Sequence, residues 1–184
     1  HGRMHDGRER AAIVPFPDLS EYLSSLLDDP RVHDIASSLC GEDFNYTSGD
    51  GNFYTGDTRW HSDGYGTRPV LSIKMAFYLD DVAEDSGALR VIPGSHHWGL
   101  LDGSRGEDKN VRMDEDIEAR GVDPVPIPLK PGGALFMSNL CAHTSKVNQT
   151  NECRWSVDFR YFPTPDRADL TPAQRSAAAF AQPK

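Results

Sequence analysis

Residues 70–79 of the chain read VLSIKMAFYL, and larger hydrophobic side chains alternate along them with smaller or more polar ones. A period of two is typical of a β-strand, because successive side chains project to opposite faces. A second stretch, residues 154–161, alternates in the same way, with a polar face made of Arg154, Ser156, Asp158 and Arg160. A barrel whose interior is partly polar binds something. The two stretches therefore predict a β-barrel or sandwich with a ligand inside.

Shorter strands are predicted around these two. Residues 88–93 (ALRVIP) and 132–137 form short apolar runs, and glycine and proline turns separate them from their neighbours. Many short strands with such turns are typical of a sandwich or barrel. We therefore predict a mainly β fold with flanking helices, in one domain over residues 1–184. Its core covers about 42–163, and residues 164–184 form a tail.

The part before about residue 41 is predicted to be helical. Asp18 and Glu21 have the spacing of a capping box, and apolar residues follow at helical intervals. A second helix is predicted to begin at Asp29-Pro30 and to stop at Gly41. Its apolar stripe consists of Val32, Ile35, Ala36 and Leu39.

Composition limits the possible functions. With 184 residues, 38% of them hydrophobic, the chain suits one domain with one core. The net charge is -9 and there is no run of Lys and Arg, which argues against a nucleic-acid partner. No apolar run approaches the roughly 20 residues of a membrane span. The three cysteines have no C-x-x-C spacing, which favours a reducing, cytoplasmic location and argues against a thiolate zinc site.

A metal site is predicted around WHSDG at residues 60–64. In an extended backbone His61 and Asp63 project to the same side and can bind one ion. His143, just after an apolar strand, is the predicted third ligand. Two imidazoles and one carboxylate leave three positions open on an octahedral ion, which is the arrangement of iron(II) oxygenases.

Arg154 adds a second signal, 11 residues after His143 and at the start of the strand with the polar inner face. 2-Oxoglutarate chelates iron through one end and needs a cation for its distal carboxylate. The planar guanidinium of Arg154 can bind that carboxylate through two hydrogen bonds. The hydroxyls of Ser145 and Ser156 can add further hydrogen bonds.

These residues and several longer motifs resemble the phytanoyl-CoA dioxygenase family of the iron(II)/2-oxoglutarate oxygenases. The matching motifs are WHSDG (60–64), KMAFYLDDVAEDSGALRVIPGSHHWG (74–99) and PGGALF (131–136), together with His143 and Arg154. The resemblance covers roughly residues 41–163. Its most specific part is SGALRVIPGSH, which lies between the two halves of the predicted ligand set.

The resemblance implies a double-stranded β-helix, or jelly-roll, core of the cupin-like kind. It implies Fe(II) bound by His61, Asp63 and His143, and 2-oxoglutarate anchored by Arg154 with Ser145. The implied reaction uses O2 and hydroxylates an unactivated C–H bond of a small molecule, releasing succinate and CO2. Related halogenases lack the carboxylate, so Asp63 favours hydroxylation.

Further residues are predicted to line the site. Lys74 lies on the inner face of its strand and is a candidate for a carboxylate of the co-substrate or of an acidic substrate. Tyr78 shares that face and is a candidate for the substrate pocket. Asn52 and Tyr54 precede the metal motif with strand spacing and are weaker candidates for the same pocket.

Two departures from the family stand out. The helical region before residue 41 is shorter than is usual there, and no basic cluster marks a site for coenzyme A phosphates. The charged segment 99–123 is interpreted either as a flap beside the barrel mouth or as a surface insertion.

Two other classes of function stay open. A cupin-like barrel could hold zinc or manganese and merely bind a ligand, or an iron enzyme could use O2 without 2-oxoglutarate. Arg154 argues against both. His96 and His97 could be rival ligands, but being adjacent after a turn they are interpreted as structural, and His1, His5 and His33 as surface residues.

Overall fold

The computed structural model describes residues 3–5, 10–54, 56–63, 72–98, 115 and 117–163. These residues form two antiparallel sheets. The larger sheet has the strand order β1-β2-β3-β10-β5-β8, and the smaller has the order β4-β9-β6-β7. The strands are β1 (Arg3–His5), β2 (Arg10–Ile13), β3 (Phe44–Tyr54), β4 (Thr58–His61), β5 (Ile73–Tyr78), β6 (Leu89–Val91), β7 (Val125–Ile127), β8 (Ala134–Ser138), β9 (His143–Ser145) and β10 (Trp155–Pro163).

The two sheets face each other across one pocket, which side chains from both of them line. This arrangement confirms the predicted jelly-roll fold. The division into one domain with a core and a tail stays a prediction, and residues 164–184 lie outside the described part.

The strands predicted from alternation lie where expected. The run 70–79 contains β5, although residues 70 and 71 lie outside the described part, and the run 154–161 lies almost entirely within β10. β10 is central in the larger sheet because it pairs with β3 on one side and with β5 on the other. The two short apolar runs correspond to β6 and β8.

The two faces of β10 have different environments, as the alternation predicts. Val157, Phe159 and Tyr161 are almost fully buried in a hydrophobic core that the larger sheet shares with a helix. On the opposite face Ser156 and Asp158 are equally buried but line the pocket between the sheets. The strand therefore separates the hydrophobic core from the polar site.

Two α-helices precede the core, α1 (Glu21–Ser25) and α2 (Pro30–Cys40). Asp29 caps α2 by accepting a hydrogen bond from the Arg31 amide at 2.9 Å, and Gly41 follows with φ of 91°, so the second predicted helix is confirmed. Its buried stripe is Val32, Ala36 and Cys40. The predicted inclusion of Ile35 and Leu39 is wrong, because α2 packs through a narrower face and leaves them exposed at 37% and 47%.

The predicted capping box at Asp18 is also wrong. Residues Pro17–Leu19 form a 3-10 turn, and Ser20 is the N-cap of α1, accepting from the Leu23 amide at 3.4 Å. A proline at the start of the tight turn fixes the chain before the helix can begin. The first helix is therefore shorter and starts later than the periodicity indicates.

Two short strands, β1 and β2, precede the helices in the part predicted to be helical. β2 continues the larger sheet by pairing with β3. At the point where the chain turns from β2 towards α1, it crosses β3 so closely that glycines are needed there. A Cβ added at Gly49 would lie 2.5 Å from Cγ of Pro17, and one at Gly51 would lie 2.5 Å from Cγ of Phe16.

Most of the segment interpreted as a flap lies outside the described residues. Its end is described, and there Ile117 is buried with Ile92 and Ala142 in a second hydrophobic cluster beside the smaller sheet. Among the described residues, no helix has the length and apolar character that crossing a bilayer requires.

Candidate metal centre and adjoining pocket

Pairing between β4 and β9 brings two histidines together. His61 ends β4, His143 begins β9, and the two are direct partners in the antiparallel register. Their ring centroids lie 4.2 Å apart. Asp63 follows His61 by two residues, with Oδ1 at 3.8 Å from Nε2 of His61 and Oδ2 at 3.9 Å from Nε2 of His143. Within the described ranges this is the group of side chains that could hold a metal ion, its ligand atoms all within 4.8 Å of one another.

His143 is oriented for metal binding by its own backbone. Its Nδ1 lies 2.9 Å from the carbonyl oxygen of Cys141. Because a carbonyl only accepts, Nδ1 carries the proton and Nε2 presents a lone pair towards Asp63. Burial, reinforced by the charge of His61, lowers the pKa of His143 to about 3. The imidazole is therefore neutral at neutral pH, as a metal ligand must be.

The carboxylate of Asp63 is kept ionised by its neighbours. Burial alone would raise the pKa of Asp63, but the charges of Lys74, His143 and His61 together outweigh it and lower that pKa. The Lys74 ammonium lies 3.2 Å from Oδ2 of Asp63 and 3.2 Å from Oδ2 of Asp158. Burial would likewise lower the pKa of Lys74, but these two carboxylates raise it. The donor set of two imidazoles and one carboxylate fits a divalent ion such as Fe(II).

The pocket between the sheets adjoins this centre. Its wall includes His61, His143 and Lys74. The remaining lining side chains come mostly from the inward faces of strands in both sheets and are mostly polar: Tyr54, Thr58, Tyr78, Ser145, Arg154, Ser156 and Asp158, with the apolar Ala76, Leu89 and Met137 and the backbone of Gly87. A small anion entering the pocket would therefore meet the metal side chains and Arg154 together.

Arg154 is a buried cation in the wall of this pocket, with 2% of its surface exposed. Its Nη1 donates to the carbonyl oxygens of Gly87 and Lys146, and Nη2 donates to that of Gly56 at 3.2 Å. Nε is buried and has no hydrogen-bond partner among the described residues. Burial lowers the pKa of Arg154, but a guanidinium stays protonated in proteins. A positive charge held in this way, with the Nε–H unused, fits an anionic ligand.

Gly87 makes room for this guanidinium. It has φ of 86°, and a Cβ at this position would overlap with Nη1 of Arg154. The glycine of the SGALRVIPGSH motif thus has a steric role beside the pocket.

The predicted serines line the same pocket as Arg154. Ser145 and Ser156 are buried and line the pocket. Ser145 is fixed by Thr58, whose Oγ1 accepts from the Ser145 amide at 2.9 Å and lies 3.2 Å from the Ser145 hydroxyl oxygen. The structure therefore brings the predicted co-substrate residues to one pocket, and their roles stay predictions.

Of the predicted substrate residues, Tyr54 and Tyr78 line the pocket, and Asn52 does not. Asn52 is fully buried behind it, where its Nδ2 donates to Oδ2 of Asp158 at 3.1 Å. The rings of His96 and His97 contact each other in a tilted arrangement, with centroids 3.9 Å apart, outside the candidate metal group.

Thr58, Gly87 and Asp158 were not predicted as site residues. Asp158 carries a signal in the sequence, because it shares the polar face of its strand with Arg154 and Ser156. Thr58 carries no such signal, because only the pairing of β4 with β9 places it opposite Ser145.

Comparison with known proteins agrees with this geometry. The sequence profile of the family described as phytanoyl-CoA dioxygenase (PhyH) matches residues 4–156. A methylphosphonate hydroxylase of Gimesia maris is 29% identical over 147 residues, covering 76% of this chain and 53% of that protein. The chain spans about half the length of the curated relatives it matches first.

Solved structures share the fold. The epimerase SnoN, in complex with Fe3+, alpha ketoglutarate and nogalamycin RO, superposes with a TM-score of 0.75 at 20% identity, covering 89% of this chain and 68% of that one. EvdO2 from Micromonospora carbonacea var. aurantiaca, complexed with 2-oxoglutarate, gives a TM-score of 0.64 at 24% identity, covering 89% and 71%. At these identities the likeness establishes the jelly-roll fold.

Proposed function

Because the chain belongs to the phytanoyl-CoA dioxygenase family, we propose that it is an Fe(II)/2-oxoglutarate-dependent dioxygenase that hydroxylates a small molecule. One observation carries the proposal: His61, Asp63 and His143 lie close enough together to hold a metal ion, and two of them, His61 and His143, line the same pocket as the buried guanidinium of Arg154. The first supplies a site for Fe(II) with open positions, and the second supplies a site for the distal carboxylate of 2-oxoglutarate.

Each residue has a definite task in this proposal. His61, Asp63 and His143 hold the metal, and Arg154, with Ser145 and Ser156, holds the co-substrate carboxylate. Bound Fe(II) with 2-oxoglutarate and O2 would supply the oxidising chemistry, yielding succinate and CO2. The protein positions the reactants and excludes water, and Tyr54 and Tyr78 are proposed to border the substrate.

The substrate and location are proposed in general terms. The relatives are named for reactions on small molecules, which supports a small-molecule substrate. Cys40, Cys141 and Cys153 are all free thiols, which supports the cytoplasm as the location.

The proposal is tested by adding Fe(II) and 2-oxoglutarate to the protein without oxygen and recording the visible charge-transfer band of the chelate. We expect the band in the wild-type protein, and we expect Arg154→Lys to need more 2-oxoglutarate to reach it, because an ammonium lacks the planar two-donor fork. Arg154→Ala should need still more. Arg31→Ala, a change of an exposed arginine on α2, is the matched control.

Because Arg154 also holds several backbone carbonyl groups, the melting temperature of each variant is recorded beside the titration. Iron binding without the band in the wild-type protein would contradict the co-substrate site and leave a metal-binding barrel. An unchanged requirement for 2-oxoglutarate in Arg154→Lys and Arg154→Ala would contradict the assignment of the anchor.

A further inference from the structure

Lys74 connects the metal centre to the opposite sheet. It lies on β5, its side chain is 13% exposed, and its ammonium is 3.2 Å from both Oδ2 of Asp63 and Oδ2 of Asp158. Asp63 follows a strand of the smaller sheet, whereas Asp158 belongs to β10 of the larger one. One ammonium thus bridges two buried carboxylates from the two layers.

Asp158 is a fixed support for this ammonium. It is 3% exposed, and the Nδ2 of Asn52 donates at 3.1 Å to the same oxygen that faces Lys74. Asn52 and Asp158 lie on neighbouring, hydrogen-bonded strands, β3 and β10. A flexible lysine side chain held in this way has a defined position, as a residue that orients another group must have.

The Asp63 carboxylate lies between the two histidines and the Lys74 ammonium. Its two oxygens face different imidazoles, Oδ1 facing His61 and Oδ2 facing His143. Within the described ranges, Lys74 is the one lysine or arginine whose charged group lies within 4 Å of the carboxylate. A carboxylate that is free to rotate would lose this alignment.

We propose that Lys74 is a positioning residue, which holds the Asp63 carboxylate facing both histidines and is itself held by Asp158. The inference rests on the proposed function, because it presumes that Asp63 binds a metal. The ammonium forms ion pairs with two protein carboxylates, so this role differs from the predicted contact with a co-substrate carboxylate.

The competing explanation is that Lys74 only neutralises Asp158. A double variant separates the two explanations: Lys74→Met with Asp158→Asn removes one positive and one negative charge, so the net charge of the cluster is unchanged. If Lys74 only neutralises Asp158, this variant should bind metal as the wild-type protein does. If Lys74 positions Asp63, the variant should fold but bind metal weakly.

The matched comparison is Lys74→Gln with Asp158→Asn. Gln and Met have similar length and no charge, but only the Gln amide can donate a hydrogen bond to Asp63. The difference between the two double variants therefore measures what a polar donor facing Asp63 contributes, and Asp158→Asn by itself is the reference.

The measurement is a titration of each metal-free protein with Co(II), followed by the visible absorption of the bound ion, beside the melting temperature without metal. For the Met double variant we expect a dissociation constant higher by about 10- to 100-fold, the usual cost of losing a partner of a metal ligand, with the Gln double variant in between. Co(II) binding by the Met double variant that is as tight as in the wild-type protein would overturn the inference. A wild-type protein that binds no Co(II) would contradict the proposed function instead.

Discussion

At the scale of single residues, Asp63 is the ligand on which the candidate centre depends. It contributes the one negative charge of the group and faces both histidines, while its own pKa is held low by Lys74 and the two imidazoles against the effect of burial. Histidine alone would leave a divalent ion with two neutral ligands. The carboxylate therefore supplies charge as well as geometry.

Asp63→Asn should weaken binding of Fe(II) or Co(II) by more than about tenfold, because the loss of even an outer partner of a ligand costs that much. The change keeps the shape of the side chain and removes its charge. The measurement is metal titration without oxygen. Asp81→Asn is the control, since Asp81 pairs with Lys130 at an exposed position. Equal affinity in the two variants would contradict the role of Asp63.

The sequence predicts part of this site and misses part of it for a physical reason. His61 and Asp63 are two residues apart, so strand geometry alone places them on one side. Lys74 and Asp158 were both recognised as inward residues, but their ion pair depends on the pairing of β5 with β10, which no local pattern specifies. The same holds for Thr58, which reaches Ser145 only across β4 and β9.

At the scale of elements, a side chain added where the chain crosses β3 would meet different kinds of atoms at Gly49 and at Gly51. A Cβ at Gly49 would lie 2.7 Å from the backbone oxygen of Asp158 as well as against the ring of Pro17. A Cβ at Gly51 would meet only the side chain of Phe16 among its nearest neighbours. An aromatic ring can move, whereas a backbone oxygen in a paired strand cannot move without breaking the pairing.

Gly49→Ala should therefore lower the free energy of unfolding by about 1–3 kcal/mol, the usual cost of overpacking, and Gly51→Ala by less. Urea unfolding of the two variants beside the wild-type protein gives the comparison. If Gly51→Ala lowered the free energy of unfolding more than Gly49→Ala, the backbone oxygen of Asp158 would not be the decisive contact.

The elements themselves were predicted unevenly. The inward and outward faces of β5 and β10 follow from alternation, and α2 follows from Asp29-Pro30 and Gly41. The exposure of Ile35 and Leu39 could not be predicted in this way, because helical periodicity marks a face without showing how wide its contact with the sheet will be. Likewise β1 and β2 form because β3 offers an edge for β2 to pair with, not because of a local signal in residues 3–13.

At the scale of the whole molecule, the hydrophobic core between the larger sheet and α2 contains tyrosines that burial keeps protonated. Burial, with a smaller effect of the Asp18 charge, raises the pKa of Tyr46 to about 12. Burial also raises the pKa of Tyr161, with a smaller effect of Tyr46. In an unfolded chain a tyrosine has a pKa near 10.

Between about pH 10 and pH 12 the folded state should thus bind more protons than the unfolded state, and its free energy of unfolding should fall as pH rises. The contribution is complete below about pH 10. Phenolate absorbance and circular dichroism, followed together in an alkaline titration, should show these tyrosines ionising as the fold is lost. Tyr46→Phe should move the alkaline transition to higher pH, and a transition at the wild-type pH would contradict the assignment.

The position of β10 between β3 and β5 also sets an order of events during protein synthesis. The ribosome completes β3 at residue 54 and β5 at residue 78, but their shared partner begins only at residue 155. Until then neither strand has the neighbour that completes its side of the sheet, and the core side chains of β5 and α2 remain uncovered. A nascent chain in this state offers hydrophobic surface and open strand edges to chaperones, and it can close the sheet only when its last described strand has emerged.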